Sequence, residues 1–230
     1  MLQIVTTLLA AFLAVSPRIL IPAPAEIISG QEICVLPEKL SYNIVCKADT
    51  AGLASLERYI GASGLASGSL TGGNINIVLG DRKLAKRFSS EKDFVREAAY
   101  CLEVTPKSIE IKAITPKGAF YAIQSLKQML YRGRELETCV VTDWPVMRYR
   151  GLMLDISRNF RDKEFIEKQI DAMALLKMDK LHLHLTDDAG WRIQIDSKPR
   201  LTDVAAWRVG ETWSQWVDFG KQYSHKDSPR

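Results

Sequence analysis

The chain has 230 residues, 47% of them hydrophobic and 25% charged, with a net charge of +4. That balance describes an ordinary soluble globular protein of one or two domains, and charge that is modest and unclustered argues against a nucleic-acid partner. The length also excludes a complete (β/α)8 barrel beside any other domain, because the barrel alone needs roughly 250 residues.

Residues 1–15 form an apolar run too short to span a bilayer comfortably, and Ala23-Pro24-Ala25 offers a small-residue cleavage pattern. We read residues 1–20 as a signal peptide, with no membrane span in the mature chain and a secreted or periplasmic location. No Lys or Arg precedes the run, so the alternative is an apolar first strand or helix of the fold. Cys34, Cys46, Cys101 and Cys139 show no Cys-x-x-Cys spacing, and several sit in apolar runs where a free thiol packs as a small hydrophobe. Export would also permit disulfides, with three complete pairings left open.

From residue 21 to about 130, strands and helices alternate. Strands are predicted over 26–36, 42–46, 75–79, 98–105 and 108–114, and helices near 50–61 and 118–130. The last pair switches from alternation to helical period across a Pro-Lys-Gly turn. A Gly/Ser-rich stretch covers 61–73. Residues 132–148 read as a linker with a short strand around 139–141, and Asp143-Trp144-Pro145 marks the domain boundary because proline biases Trp144 to an extended conformation.

Two short apolar runs, YRGLMLDISRNF and LHLHLTDDAGWR, flank a segment of helical period. This is the pattern of a parallel βαβ unit, with strands over 150–156 and 181–186 buried on both faces. Asp162 suits the helix N-cap and Glu164 its first turn, while Phe165, Ile166, Ile170, Met173, Ala174 and Leu176 form an apolar stripe. Residues just past the carboxyl ends of such strands build sites, which singles out Arg158 and Asp187.

An Arg-Gly run ending in Asp-x-x-Arg, followed by His-x-His-x-x-Asp-Asp, closely resembles the first two barrel units of the β-N-acetylhexosaminidases, family 20 of the glycoside hydrolases. SIEIKAITPKGAFYAIQSLKQML resembles the end of that family's non-catalytic domain. The resemblance implies an α+β accessory domain (21–142) followed by the start of a (β/α)8 TIM barrel (143–230). It implies retaining, substrate-assisted removal of terminal N-acetylhexosamine from glycans, with no cofactor. Family enzymes carry an adjacent Asp-Glu pair at the fourth barrel strand, and these residues contain no Asp-Glu dipeptide. The resemblance therefore implies a chain cut short before its catalytic acid, inactive alone, with no catalytic residue of its own.

By the same resemblance Arg158 hydrogen-bonds hydroxyls of the terminal sugar. Its position alone fits a rim salt bridge to Asp187 or Asp188 equally well. Asp187 would join the polar network of the site, pairing in the family with a histidine from later in the barrel. Asp188 equally suits a cap. His182 and His184 share a strand parity, so Asp155 would meet them if both point inward, in a hydrogen-bonded cluster rather than in direct catalysis. Arg150 and Asp155 are expected to form a barrel-interior ion pair that orients the site.

A metal-dependent hydrolase using His182, His184 and Asp187 is the rival enzyme reading, and is weak in a chain with three histidines. No metal is expected. A third reading is a non-catalytic carbohydrate-binding protein, because Trp207, Trp213 and Trp216 could stack on sugar rings, although their spacing suits packing as well.

Overall fold

The computed structural model describes residues 15–46, 52–68 and 73–207. The apolar run over 1–14, the tail residues Trp213, Trp216, Phe219, Tyr223 and His225, and parts of the 50–61 helix and the Gly/Ser stretch lie outside the described residues. The chain divides into two compact units, Met1–Arg148 with Ala174–Lys177, and Tyr149–Met173 with Met178–Arg230.

The first unit is built on β1 (Glu26–Val35), β2 (Ser41–Cys46), β3 (Ser67–Gly68), β4 (Ile75–Leu79), β5 (Tyr100–Val104), β6 (Ile109–Ala113) and β7 (Glu135–Asp143). They form one sheet in the order β1-β7-β5-β6-β4-β2-β3. Pairing is antiparallel from β1 through β6 and parallel from β6 through β3. Strict alternation in β4, β5 and β6 gives each a buried face. The register places Val141, Leu102, Ile111, Ile77 and Ile44 in one row across five strands. That face packs with Leu56 and Ile60 of α1 (Leu53–Ala62) and with Ala122, Ile123, Leu126 and Met129 of α4 (Pro116–Arg132). Two short helices, α2 (Arg82–Arg87) and α3 (Asp93–Arg96), which periodicity did not predict, supply Leu84 and Val95 to a separate small cluster with Ala99, Trp144 and Phe88, the residue that caps α2.

Helix α4 starts where Thr115 Oγ1 accepts the N–H groups of Lys117 and Gly118, with Pro116 as the first helical residue. Its close approach to the sheet depends on Gly118, where a Cβ would lie 2.4 Å from the Ala99 carbonyl oxygen.

The short strand expected around 139–141 within a linker is instead the nine-residue β7, paired on both sides. Polar residues at Arg134, Glu135 and Glu137 resemble a linker in sequence, but Leu136 and Val141 are fully buried. Residues 15–20 also belong to this unit: Val15 donates to the Glu135 carbonyl and Leu20 is 2% exposed within the core. A cut after Ala25 would remove both. All four cysteine thiols are free, and burial first, then the Glu137 charge, pushes Cys139 up to about 12.

The second unit contains β8 (Gly151–Asp155), α5 (Lys163–Leu175, its last residues counted with the first unit) and β9 (Lys180–His184). β8 and β9 pair in parallel with Asp155 opposite His184, which makes the expected βαβ unit. Asp162 Oδ1 accepts the Phe165 N–H at 2.8 Å and caps α5. A small hairpin follows, β10 (Thr186–Asp187) and β11 (Gly190–Trp191), and then α6 (Arg200–Asp203). The strands are not buried on both faces as expected: Met153 is 56% exposed and His182 is exposed. Two strands have too few neighbours to cover either face. Among the described residues the second unit shows one βαβ unit and no barrel, and no described helix is long and apolar enough to cross a membrane.

Candidate functional site

Asp155 ends β8, and the chain turns at once around its carboxylate. Asp155 Oδ1 accepts the backbone N–H groups of Ser157 and Arg158 at 3.1 and 3.0 Å. The same turn brings Arg158 back, so that Nη1 donates to Asp155 Oδ2 at 2.6 Å. Its other terminal nitrogen, Nη2, lies 2.6 Å from Asp187 Oδ2. The guanidinium is thus clamped between two carboxylates, a use for which its rigid fork suits it.

His184, opposite Asp155 on β9, completes the cluster. Its Nδ1 is 3.5 Å from Asp155 Oδ2, and its Nε2 lies 3.3 Å from Asp187 Oδ2 and 3.1 Å from the Thr186 carbonyl oxygen. Burial tends to raise Asp155, but the Arg158 N–H and guanidinium, with His184, hold it below the ordinary carboxylate range. The Asp188 N–H is the main reason that Asp187 is also depressed, with Arg158 and His184 adding to it. Arg158 itself is raised, first by its bond to Asp155 and then by Asp187.

Arg158, Asp155, His184 and Asp187 therefore meet at the carboxyl ends of two parallel strands. Arg150 does not join them. It precedes β8 at the opposite end of the strand from Asp155, and its Nη2 lies 3.5 Å from Asp179 Oδ2 instead. The ion pair expected between Arg150 and Asp155 is therefore not formed, because the two lie at opposite ends of β8. Asp188 is exposed in the β10–β11 turn, its N–H bonded to Asp187 Oδ1 at 2.7 Å. His182 stands opposite Met153, not Asp155. Among the described residues no group of three His, Cys, Asp or Glu side chains is arranged to hold a metal ion.

Three residues that the motif reading passed over hold the cluster's frame. Ser157 Oγ donates to the Gly190 carbonyl at 2.6 Å. Arg192 donates to three backbone carbonyls, of Ile156, Ser157 and Ala206, at 2.8, 2.9 and 2.8 Å. Its guanidinium lies against Gly190, where a Cβ would come within 2.6 Å of Nη2. The Gly-Trp-Arg that closes the second motif was the available signal. A cavity of about 510 Å3 lies elsewhere, in the first unit, lined chiefly by apolar groups including Leu56, Tyr59, Ile114 and Phe120.

Residues 18–144, more than half of the chain, match the model for glycosyl hydrolase family 20, domain 2. The chain belongs to glycosyl hydrolase family 20. Residues 147–229 match the catalytic domain of the same family, and these contain the whole Arg158 cluster. A beta-hexosaminidase of Vibrio vulnificus is 41% identical over 114 residues, and an N,N'-diacetylchitobiase of Vibrio harveyi is 42% identical over 122. These alignments cover 49% and 52% of this family 20 chain but only 14% of each relative. The solved structure of a GH20 exo beta-N-acetylglucosaminidase from Vibrio harveyi, in complex with N-acetylglucosamine, superimposes with a TM-score of 0.68 at 30% identity. It covers 85% of this chain and 30% of that one. A beta-N-acetylhexosaminidase from Bacteroides fragilis gives a TM-score of 0.66 at 28% identity, over 85% of this chain and 39% of that one. The family 20 chain is thus similar to domain 2 and the start of the catalytic domain of these proteins, and spans a minor part of their length.

Proposed function

We propose that this chain supplies the sugar-gripping half of an exo-acting β-N-acetylhexosaminidase site, at the start of a (β/α)8 barrel, and that the whole protein removes terminal N-acetylhexosamine from glycans. The observation that carries this reading is the Arg158 guanidinium, fixed by Asp155 and Asp187 at the carboxyl ends of β8 and β9 while its side chain is 49% exposed. A planar donor held in this way can hydrogen-bond neighbouring sugar hydroxyls without first being ordered. Asp155 and Asp187 set its direction, and His184 lies against both carboxylates. In this reading the reaction is retaining, the nucleophile is the substrate's own 2-acetamido group, and a general acid protonates the leaving oxygen. The acid and its neighbouring carboxylate would come from an Asp-Glu pair, which these 230 residues do not contain. Arg158, Asp155, His184 and Asp187 bind and orient; none of them is the acid. We also propose export.

The test is Arg158→Lys in the hydrolytic form of the protein, assayed on 4-nitrophenyl N-acetyl-β-D-glucosaminide. A point charge cannot reproduce the fork, and loss of a charge-assisted hydrogen bond costs roughly 1.5–3 kcal/mol, so kcat/KM is expected to fall by about 10- to 100-fold. Unchanged kcat/KM would remove Arg158 from the substrate.

A further inference from the structure

The first unit encloses a polar cluster that the Arg158 site does not use. Tyr100 on β5 and Ser125 on α4 are 1% and 0% exposed, and their hydroxyl oxygens lie 2.6 Å apart. The Tyr100 hydroxyl donates to Asp143 Oδ2 at 3.1 Å. Lys177 reaches both groups: Nζ donates to the Tyr100 oxygen and to Asp143 Oδ2, each at 2.8 Å, and lies 5.2 Å from the centre of the Tyr100 ring. The side chains of Lys177 and Asp143 are only 9% and 12% exposed. A carboxylate enclosed in this way needs a compensating cation, and Lys177 provides it.

The backbone gives a second, independent observation. Helix α5 ends with the Lys177 N–H on the Ala174 carbonyl and the Met178 N–H on the Met173 carbonyl, at 3.0 and 2.8 Å. Those two bonds define a helix end whose left-handed residue is usually glycine. Here the residue is Lys177, with φ of 58°, in a conformation that costs an L side chain about a factor of ten. Glycine would suit the turn better, so the lysine side chain must do something that glycine cannot. Gln128 of α4 holds the same stretch, with Nε2 donating to the Leu175 carbonyl at 2.8 Å and to the Ile21 carbonyl at 2.7 Å.

We propose that Tyr100, Ser125 and Asp143 form an internal ammonium-binding site of the accessory domain, that Lys177 is its ligand, and that the domain completes its fold only with residues 174–177 in place. The match to domain 2 ends at residue 144. The folding unit therefore recruits its last cation from beyond the boundary visible in sequence.

The experiment uses the 230-residue chain and compares Lys177→Gly, Lys177→Met, Asp143→Asn and the double variant Lys177→Met/Asp143→Asn, by urea unfolding and by amide exchange in β5 and β7. Glycine relieves the backbone, yet Lys177→Gly should lower the folding equilibrium constant roughly 100-fold, because one partner of a buried pair is left alone. Lys177→Met should lose as much. Adding Asp143→Asn, which keeps an oxygen for the Ala25 N–H, should recover most of that loss and restore slow exchange in β5 and β7. If Lys177→Gly matches or exceeds the wild type, the lysine serves only the turn and the proposal fails. It fails equally if the double variant is no better than Lys177→Met, because the ammonium then does not act through Asp143.

Discussion

Arg158 takes its direction from two carboxylates, Asp155 at the end of β8 and Asp187 in the hairpin beyond β9, and His184 lies against both. The turn after β8 is local, with Asp155 accepting two N–H groups and one guanidinium nitrogen from residues two and three positions later. The pH dependence follows from it. Asp155 is held below its unfolded value near 3.9, so its contribution to stability is complete above that value and is lost as the pH falls through the lower, folded value. The wild type should therefore keep the cluster to a lower pH than Arg158→Gln, whose Asp155 has lost the guanidinium. Carboxyl NMR titration of Asp155 checks this, and identical midpoints in the two proteins would contradict it. At this scale the site was legible where chemistry follows local spacing. Asp155, Arg158, His184 and Asp187 sit at strand ends that the apolar runs announce. Arg150 was misplaced because its residue type suggested a partner, Asp155, that lies at the other end of the same strand. Ser157 and Arg192 act on backbone carbonyls, and such partners leave no pattern of residue types to read.

Helix α4 shows how an element can reverse an ordinary preference. Glycine inside a helix usually costs about 0.5–1 kcal/mol against alanine, which makes Gly118→Ala look stabilising. The added Cβ would meet the Ala99 carbonyl oxygen at 2.4 Å and the Ala113 Cβ at 3.3 Å. Backbone at that distance must shift, so the substitution should lower stability by about 1–3 kcal/mol, the usual cost of overpacking. Urea denaturation measures it, and a gain in stability would show that the helix lifts from the sheet at little cost. The helix itself was legible from its period, but its first turn was not, because Pro116-Lys117-Gly118 has the composition of a turn and is instead the helix start capped by Thr115. So were β4, β5 and β6, because alternating burial is written directly into Ile75–Leu79 and its neighbours. β7 was not, since its first half carries glutamates on the open face. The short helices α2 and α3 were missed because six and four residues are too few for a helical period to register.

At the scale of the molecule the two units differ in what they bury. The first closes a sheet of seven strands under α1 and α4. Among the described residues of the second, the buried hydrophobic side chains are Ile156, Met173 and Ala189. The first unit was legible as α+β because its own strands and helices bury one another. The place of Ala174–Lys177 in the first unit was not, because one lysine at a helix end carries no signal of the distant carboxylate it meets. The second unit was legible as far as its βαβ motif, and the chemistry proposed for it came from resemblance. The most direct measurement is hydrolysis of 4-nitrophenyl N-acetyl-β-D-glucosaminide by the purified 230-residue chain, beside a longer form that includes any sequence its reading frame encodes past Arg230. Turnover by the longer form alone is the expected result, with the acid pair supplied outside these residues. Turnover by the 230-residue chain would contradict it, because an acid among Asp155, Asp187 and Asp188 would then be doing work assigned elsewhere.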